Sequence, residues 1–382
     1  MANLAAILDK PIAWQSATTD SDVRLFLDDL QANILKGHGR RHSGHIFMSF
    51  SGMKAADVAA ILRSLAQHCP SALDQLRRNR RMPPHLDGGT VRCLFLSARG
   101  FGALGAHAAM PPGAAFAAGM PARAGELNDP DRSAWNPTGW KTGQPVPDAM
   151  FLVADADEDA VTRDLEEVED WLNGSGVTIL VVERGFQQTK TFDAAVGPLG
   201  VEHFGYVDGR SQPLFLAEDI AIELANAGGD QWSPVFKPSQ FIVPDPNGRT
   251  PFSAGSYFVF RKLEQNVRGF KAAEKALATA LGLPDATRER AGAMVIGRFE
   301  DGTPLVLPSG NAQAKPPPNN FNYSGDPDGL KCPFHAHIRK TNPRGDIVRE
   351  LGKAPMARTR CICIRTVGRS ERCQSRSPLR IS

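Results

Sequence analysis

The sequence predicts an α+β protein built from two related halves, and three observations carry that reading. A strand–helix–strand unit stands at residues 149–186, and a second of the same kind at 255–299. The chain has 382 residues, 42% hydrophobic and 22% charged, which is ordinary globular composition at a length that two packed domains can use to bury a sizeable core. No tandem repeat of sequence joins the two units, so the duplication is one of pattern, helices backing a sheet twice.

Taken in order, "SDVRLFLDDLQANILKG" (21–37) opens on Ser/Asp capping candidates. It spaces Val23, Phe26, Leu27, Leu30 and Ile34 as one helical face and stops at Gly37. "GHIFMSF" (44–50) reads as a buried strand, "AADVAAILRSLAQH" as the helix after it, and "VRCLFLSARGF" (91–101) as another strand. Residues 102–122 are rich in Ala, Gly and Pro, ambiguous between loop and weak helix, and a Trp-bearing loop follows. The first unit is strand "AMFLVADA", helix "DEDAVTRDLEEVEDWLNG" with acids at its start and Gly174 at its end, and strand "VTILVVERGF". The second is strand "GSYFVFRKLEQNV" (255–267), helix "FKAAEKALATALG" and strand "AMVIGRF" (293–299). Residues 303–331 form a long Pro/Asn/Gly/Asp-rich loop, a common seat of functional residues.

Charge and cysteine use exclude several classes. The net +3 is concentrated at one end: residues 356–382 hold seven arginines and one acid, which leaves 37 basic and 40 acidic residues in 1–355. The body therefore lacks the basic footprint of a nucleic-acid binder. No apolar run approaches the roughly 18–20 residues of a membrane span. The N-terminus has no basic region ahead of its short apolar stretch, so a cytoplasmic location without a signal peptide is expected. The six cysteines, at 69, 93, 332, 361, 363 and 373, form no CxxC, no CxxCH and no zinc-finger spacing.

Three stretches could carry chemistry. "HFGYVDGRSQP" (203–213) is a turn in which Gly205 and Gly209 allow sharp backbone angles around Asp208. Taken alone, Asp208 is as well explained by an Asx-turn. "CPFHAHIRKTNPRGD" (332–346) places Cys332, His335 and His337 together. These are metal-ligand types, and a lone neutral imidazole can also serve a haem iron, although loop histidines bonded to backbone look the same. On a strand, His335 and His337 would point the same way. "APMARTR" (354–360) offers Arg358, by itself an ordinary surface arginine.

Their order changes the reading. "GYVDG", "GSYFVFRKLEQ", "CPFHAHIRKTNPR" and "MAR", with "LQANILKGHGR" (30–40) and "FAAGMPARAGEL" (116–127) upstream, resemble the dye-decolourising peroxidase family over roughly residues 22–358. The resemblance implies a pair of ferredoxin-like α+β modules packed together, in the manner of a dimeric α/β barrel. They would occupy residues 1–200 and 201–358, the second holding haem b non-covalently. It implies a peroxidase that takes hydrogen peroxide and an organic electron donor, a dye, a phenol or another bulky reductant, through a ferryl intermediate. His337 matches the axial ligand of the haem iron, Asp208 the distal acid and Arg358 the distal arginine. Asn342 and Arg344 match neighbours of the haem propionates, and His335 falls where the family fixes nothing. Asp208 would shuttle the peroxide proton, and Arg358 would steady the charge that develops as the O–O bond breaks. Tyr257, Tyr323 and Trp232 are candidate surface relays for electrons from substrates too large to reach the haem.

After Arg358 the family pattern stops. "TRCICIRTVGRSERCQSRSPLRIS" has no strand alternation, no helical stripe and half of the chain's cysteines. Residues 359–382 are thus expected to be an out-of-frame ending or a divergent, disordered basic tail, leaving the C-terminal module incomplete. Two other functions stay open: a haem-binding protein with little turnover, and a zinc module using Cys332 with His335 or His337. The sequence does not give the oligomeric state.

Overall fold

The computed structural model describes residues 4–81, 88–130, 146–208, 213–245, 247–307 and 319–346. Strands β1 (His42–Ser49), β2 (Val91–Leu96), β3 (Ala149–Asp155) and β4 (Thr178–Phe186) make one antiparallel sheet in the order β2-β3-β1-β4. Helix Ala55–Gln67 carries the chain from β1 to β2, with β3 between them, and helix Glu158–Gly174 carries it from β3 to β4, with β1 between them. These two interleaved crossovers are the ferredoxin-like βαββαβ arrangement.

Period-two alternation decides which face the helices cover. Ile46 stands opposite Phe151 and Met48 opposite Ala149, and these residues pack with Val58, Ile61, Leu62 and Leu65 of the first helix and Val161, Leu165 and Leu172 of the second. On the same face, Gly44 leaves room for Leu165: a Cβ there would lie 2.3 Å from its Cδ1. Asp157 caps the second helix by accepting from the Asp159 amide, and the helix ends at Gly174, as read from the sequence.

The sheet's other face is covered from the second half of the chain. The Phe258 ring lies tilted, 4.3 Å from that of Phe95, Phe260 lies 4.9 Å from Phe47 and 5.6 Å from His45, and Lys262 pairs with Glu183 at 2.7 Å. Phe258, Phe260 and Lys262 are alternate residues, so the stretch behaves as a strand in its side chains. Its backbone does not: only Ala254–Ser256 is strand, paired with Ile242–Pro244, and 257–266 has no ladder among the described residues. The expected strand at 255–267 is corrected to that extent.

Three further expectations are corrected. The helix predicted for 21–37 ends at Asp29. Leu30 and Ala32 instead exchange backbone bonds with Ala72 and Pro70, so tertiary pairing overrides helical spacing. Strand 91–101 stops at Leu96, where Ser97 caps a short helix, Ala98–Ala103. Residues 293–299 are not a strand but the end of helix Glu289–Ile296, closed by Gly297 in the left-handed region at φ 99°. An apolar run as short as "AMVI" fits either element, and Ala291, Gly292 and Ala293 make the close-packed helical face.

The N-terminal arm packs away from the sheet. Leu8, Ile12, Phe26, Leu27 and Leu30 share a core with Phe215, Leu216, Trp232 and Phe252, and the Ile12 amide bonds Phe215 O at 2.8 Å. No helix among the described residues is long and apolar enough to cross a membrane. The tryptophan loop at 131–145 and the tail beyond Asp346 lie outside the described residues.

Candidate active site

Two loops carry the predicted residues, and a single turn joins them. Asp208 is exposed, and its amide donates to Gly200 O at 3.1 Å. Just upstream, Glu202 clamps the loop: its carboxylate accepts from the amides of Phe204 (2.7 Å) and Tyr206 (3.0 Å), while Gly205 turns at φ 96°. Tyr206 is buried and donates its hydroxyl to Glu274. Lys271 bridges Glu274 (2.8 Å) and Glu300 (2.7 Å), and Lys190 reaches the other oxygen of Glu300 at 2.5 Å. Burial opposes ionisation of Glu300, but the two lysines prevail and hold its carboxyl below the ordinary range. Burial, and then Glu274, push the Tyr206 hydroxyl upward, so it remains a donor.

The second loop carries His337, Asn342 and Arg344. His337 is exposed and begins the short helix His337–Thr341, so it does not share a strand face with His335. Two residues on, Arg339 is 1% exposed and pairs with both Asp326 (2.8 Å) and Asp346 (2.7 Å). Asn342 is half-buried, and its Oδ1 has no hydrogen-bond partner. Arg344 is buried: its guanidinium donates to Asn319 O (2.6 Å), Phe321 O (3.0 Å) and Asn319 Oδ1 (2.8 Å) and lies 3.8 Å over the Phe321 ring. Burial, and then the like charge of Arg298, push the Arg344 pKa down to about 9, so it stays a cation at neutral pH. Its Nε–H and the Tyr323 hydroxyl are buried donors without acceptors.

The turn at 297–305 ties the loops together. On one side Glu300 O accepts from the Val207 amide at 3.0 Å. On the other, Gly297 lies against the helix of His337, where a Cβ would meet Ile338 Cβ at 3.2 Å. Asp208 and His337 are thus fastened to one short segment, whereas Arg358 lies outside the described residues.

The structure sorts the remaining candidates. Cys332 is fully buried among Ala293, Leu305, Phe321 and Tyr323, and burial pushes its thiol up to about 11. His335 and His337 are exposed, so the three do not meet as ligands, and no metal-binding group of three or more His, Cys, Asp or Glu occurs among the described residues. The surface-relay reading is corrected for two residues: Trp232 lies buried under Arg344 (4.8 Å) and Tyr323 under Arg339 (4.5 Å). Tyr257 is half-buried and donates to Pro112 O. Arg339, Asp326, Lys271 and Glu300 were not singled out from the sequence. Arg339 sits inside "HIRKTNPR", with Asp326 and Asp328 upstream and Asp346 downstream, which was the one available signal.

No protein-family model matches the chain, but individual relatives do. The multifunctional dye peroxidase DyP2 of Amycolatopsis sp. is 42% identical over 341 residues, covering 88% of this chain and 70% of that protein. The dye-decolorizing peroxidase msp1 of Mycetinis scorodonius is 31% identical over 361 residues, and there the match covers 88% of this chain but 64% of the relative. Among solved structures, Amycolatopsis DyP2 aligns at TM-score 0.78 and 40% identity over 89% of this chain and 71% of its own. The DyP-type peroxidase AnaPX of Anabaena sp. aligns at TM-score 0.79 and 36% identity with the same coverage. The chain belongs to the dye-decolourising peroxidase family, with that family's two-module ferredoxin-like α+β fold, the enzyme class of a peroxidase and, by membership, a haem cofactor.

Proposed function

We propose that the chain binds haem b non-covalently and uses it to oxidise an organic donor at the expense of hydrogen peroxide. His337 would hold the iron, Asp208 and Arg358 would act on the peroxide, and Asn342 and Arg344 would neighbour the haem propionates. The module boundary would fall near residue 200, with 201–358 holding the haem and 359–382 outside it. The observation that carries the reading is the set of unmatched groups on residues 323–344. His337 presents an exposed imidazole, while the Nε–H of Arg344, seven residues on, and the Tyr323 hydroxyl are buried donors lacking acceptors. A porphyrin bearing carboxylates and a metal suits that donor set.

Bound haem supplies the redox chemistry, two-electron reduction of peroxide and one-electron oxidation of the donor. The chain supplies the rest. The Asp208 carboxylate would take the proton from one peroxide oxygen and return it to the other, so that water could leave. Arg358, always cationic, offsets the negative charge on the departing oxygen. The buried cation of Arg344 favours an anionic edge of the cofactor over a neutral one.

The test is the absorption spectrum of the full chain reconstituted with hemin, before and after stoichiometric hydrogen peroxide. A high-spin ferric Soret band that shifts with peroxide, and is lost in His337→Ala, is expected. Hemin that stays unbound, or a spectrum indifferent to His337→Ala, overturns the assignment. A bound, ligated haem that peroxide only bleaches overturns the turnover and leaves a haem-binding protein.

A further inference from the structure

Arg339 has a job that stability alone does not explain. Its five N–H groups meet five acceptors: Nε donates to Asp346 Oδ2 (2.7 Å), one terminal nitrogen to Asp326 Oδ2 (2.8 Å) and Cys332 O (2.6 Å), the other to Asp326 O (2.9 Å) and Asp346 Oδ1 (2.9 Å). Tyr323 and Phe334 cover its plane, with ring centroids 4.5 and 4.4 Å from the guanidinium carbon. Asp326 in turn accepts from the amides of Lys331 (3.0 Å) and Cys332 (2.9 Å). The chain entering His337 is therefore tied at 331–332 and the chain leaving it at 346, both to one planar cation.

A buried ion pair is a poor way to add stability, since apolar residues of similar volume often serve as well. What they cannot supply is direction, which a planar fork with fixed donor vectors does. The other neighbours of His337 are equally constrained. Ala336 is 1% exposed and its amide bonds Pro333 O at 2.9 Å. Ile338 is held close against Gly297, so the exposed His337 ring is the part left to face a ligand. We propose that Arg339, through Asp326 and Asp346, is the positioning residue that fixes the direction of the His337 imidazole toward the metal it binds. The inference rests on the reading of His337 as the iron ligand.

The experiment uses the full chain reconstituted with hemin and reads the iron–imidazole stretching band of the ferrous form by resonance Raman, together with hemin affinity. The wild type should give one narrow band that His337→Ala abolishes. Arg339→Lys keeps the charge and loses the fork. It should broaden or shift the band and weaken hemin binding by about 10–100-fold, the usual effect of removing a group that orients a metal ligand. Asp346→Asn should move both readouts the same way by less, and it decides the matter if the Arg339 variants do not fold. A wild-type band and affinity in folded Arg339→Lys or in Asp346→Asn overturns the proposal. If the wild type shows no iron–imidazole band, the ligand reading has failed, and amide hydrogen exchange in the hemin-free chain separates the two claims. Faster exchange at Cys332 and Ala336 in the variant sustains the tether, and unchanged exchange refutes it.

Discussion

Glu300 offers its backbone oxygen to the Val207 amide at 3.0 Å, one residue before Asp208, while its side chain pairs with Lys190 and Lys271. One residue thus fixes the backbone of the Asp208 loop and gathers the charges of Lys190 and Lys271. Its carboxyl is held below the ordinary value because both lysines outweigh its burial. A carboxyl depressed on folding contributes stability that is present above the unfolded value, about 4.3, and fades as pH falls through the lower folded value. Wild type should therefore be more heat-stable than Glu300→Gln at pH 7, with the gap closing as pH drops below about 4.3. Melting curves from pH 7 to 3 check this, and a gap that widens toward acid would contradict it.

Arg344 is predicted to hold the second loop together. Replacing it with alanine removes the guanidinium donor from the backbone oxygens of Asn319 and Phe321 and empties a site against the Phe321 and Trp232 rings. Lost hydrogen bonds to a buried charge and uncovered acceptors should cost about 2–4 kcal/mol. Arg344→Lys should recover little, because one ammonium cannot reach the same acceptors from a flexible stem. Urea unfolding measures both, and a loss under about 0.5 kcal/mol for the alanine variant would show that the contacts are incidental.

Gly297→Ala tests the joint between the loops. The position sits at φ 99°, and the new methyl would meet Ile338 Cβ at 3.2 Å and Ala336 Cβ at 3.7 Å. Backbone strain and crowding together should cost about 1–3 kcal/mol. Amide exchange should rise around both Val207 and Ile338, because both are fastened to this turn. Exchange confined to the 297–305 segment would mean that the loops are independently held.

The first module was legible because its physics is local. Ile46 and Met48 alternate, Val161, Leu165 and Leu172 recur at helical spacing, and Gly174 stops the helix where it should. The second half was less so. Phe258, Phe260 and Lys262 alternate and lay one face on the first sheet, yet the strand read at 255–267 also needed a backbone partner, which alternation cannot supply. His337 and Asp208 were legible as motif positions. Their supports were not: Arg339 meets Asp326 across a stretch of irregular loop, and Lys190 meets Glu300 across 110 residues. Pairings of that kind leave no period in a sequence.

Asp208 gives the last prediction. Its amide is tied to Gly200 O and its predecessor's to Glu300 O, so the loop's path depends on backbone bonds that a side-chain change leaves in place. The side chain itself is exposed. Asp208→Ala should therefore leave the path of the loop in place. Hemin binding should persist, because His337 lies on the other loop. The proposed proton relay, by contrast, would be removed, and loss of a general acid–base group should slow the reaction with peroxide by about 10²–10⁴-fold. Stopped-flow absorbance after mixing with hydrogen peroxide reads that rate directly. Asp208→Asn, which keeps shape but not basicity, should be slowed to a similar extent. A rate within about threefold of wild type in both variants would place the proton transfer elsewhere, whereas a normal rate in Asp208→Asn alone would make Asp208 a steric and hydrogen-bonding element rather than a base.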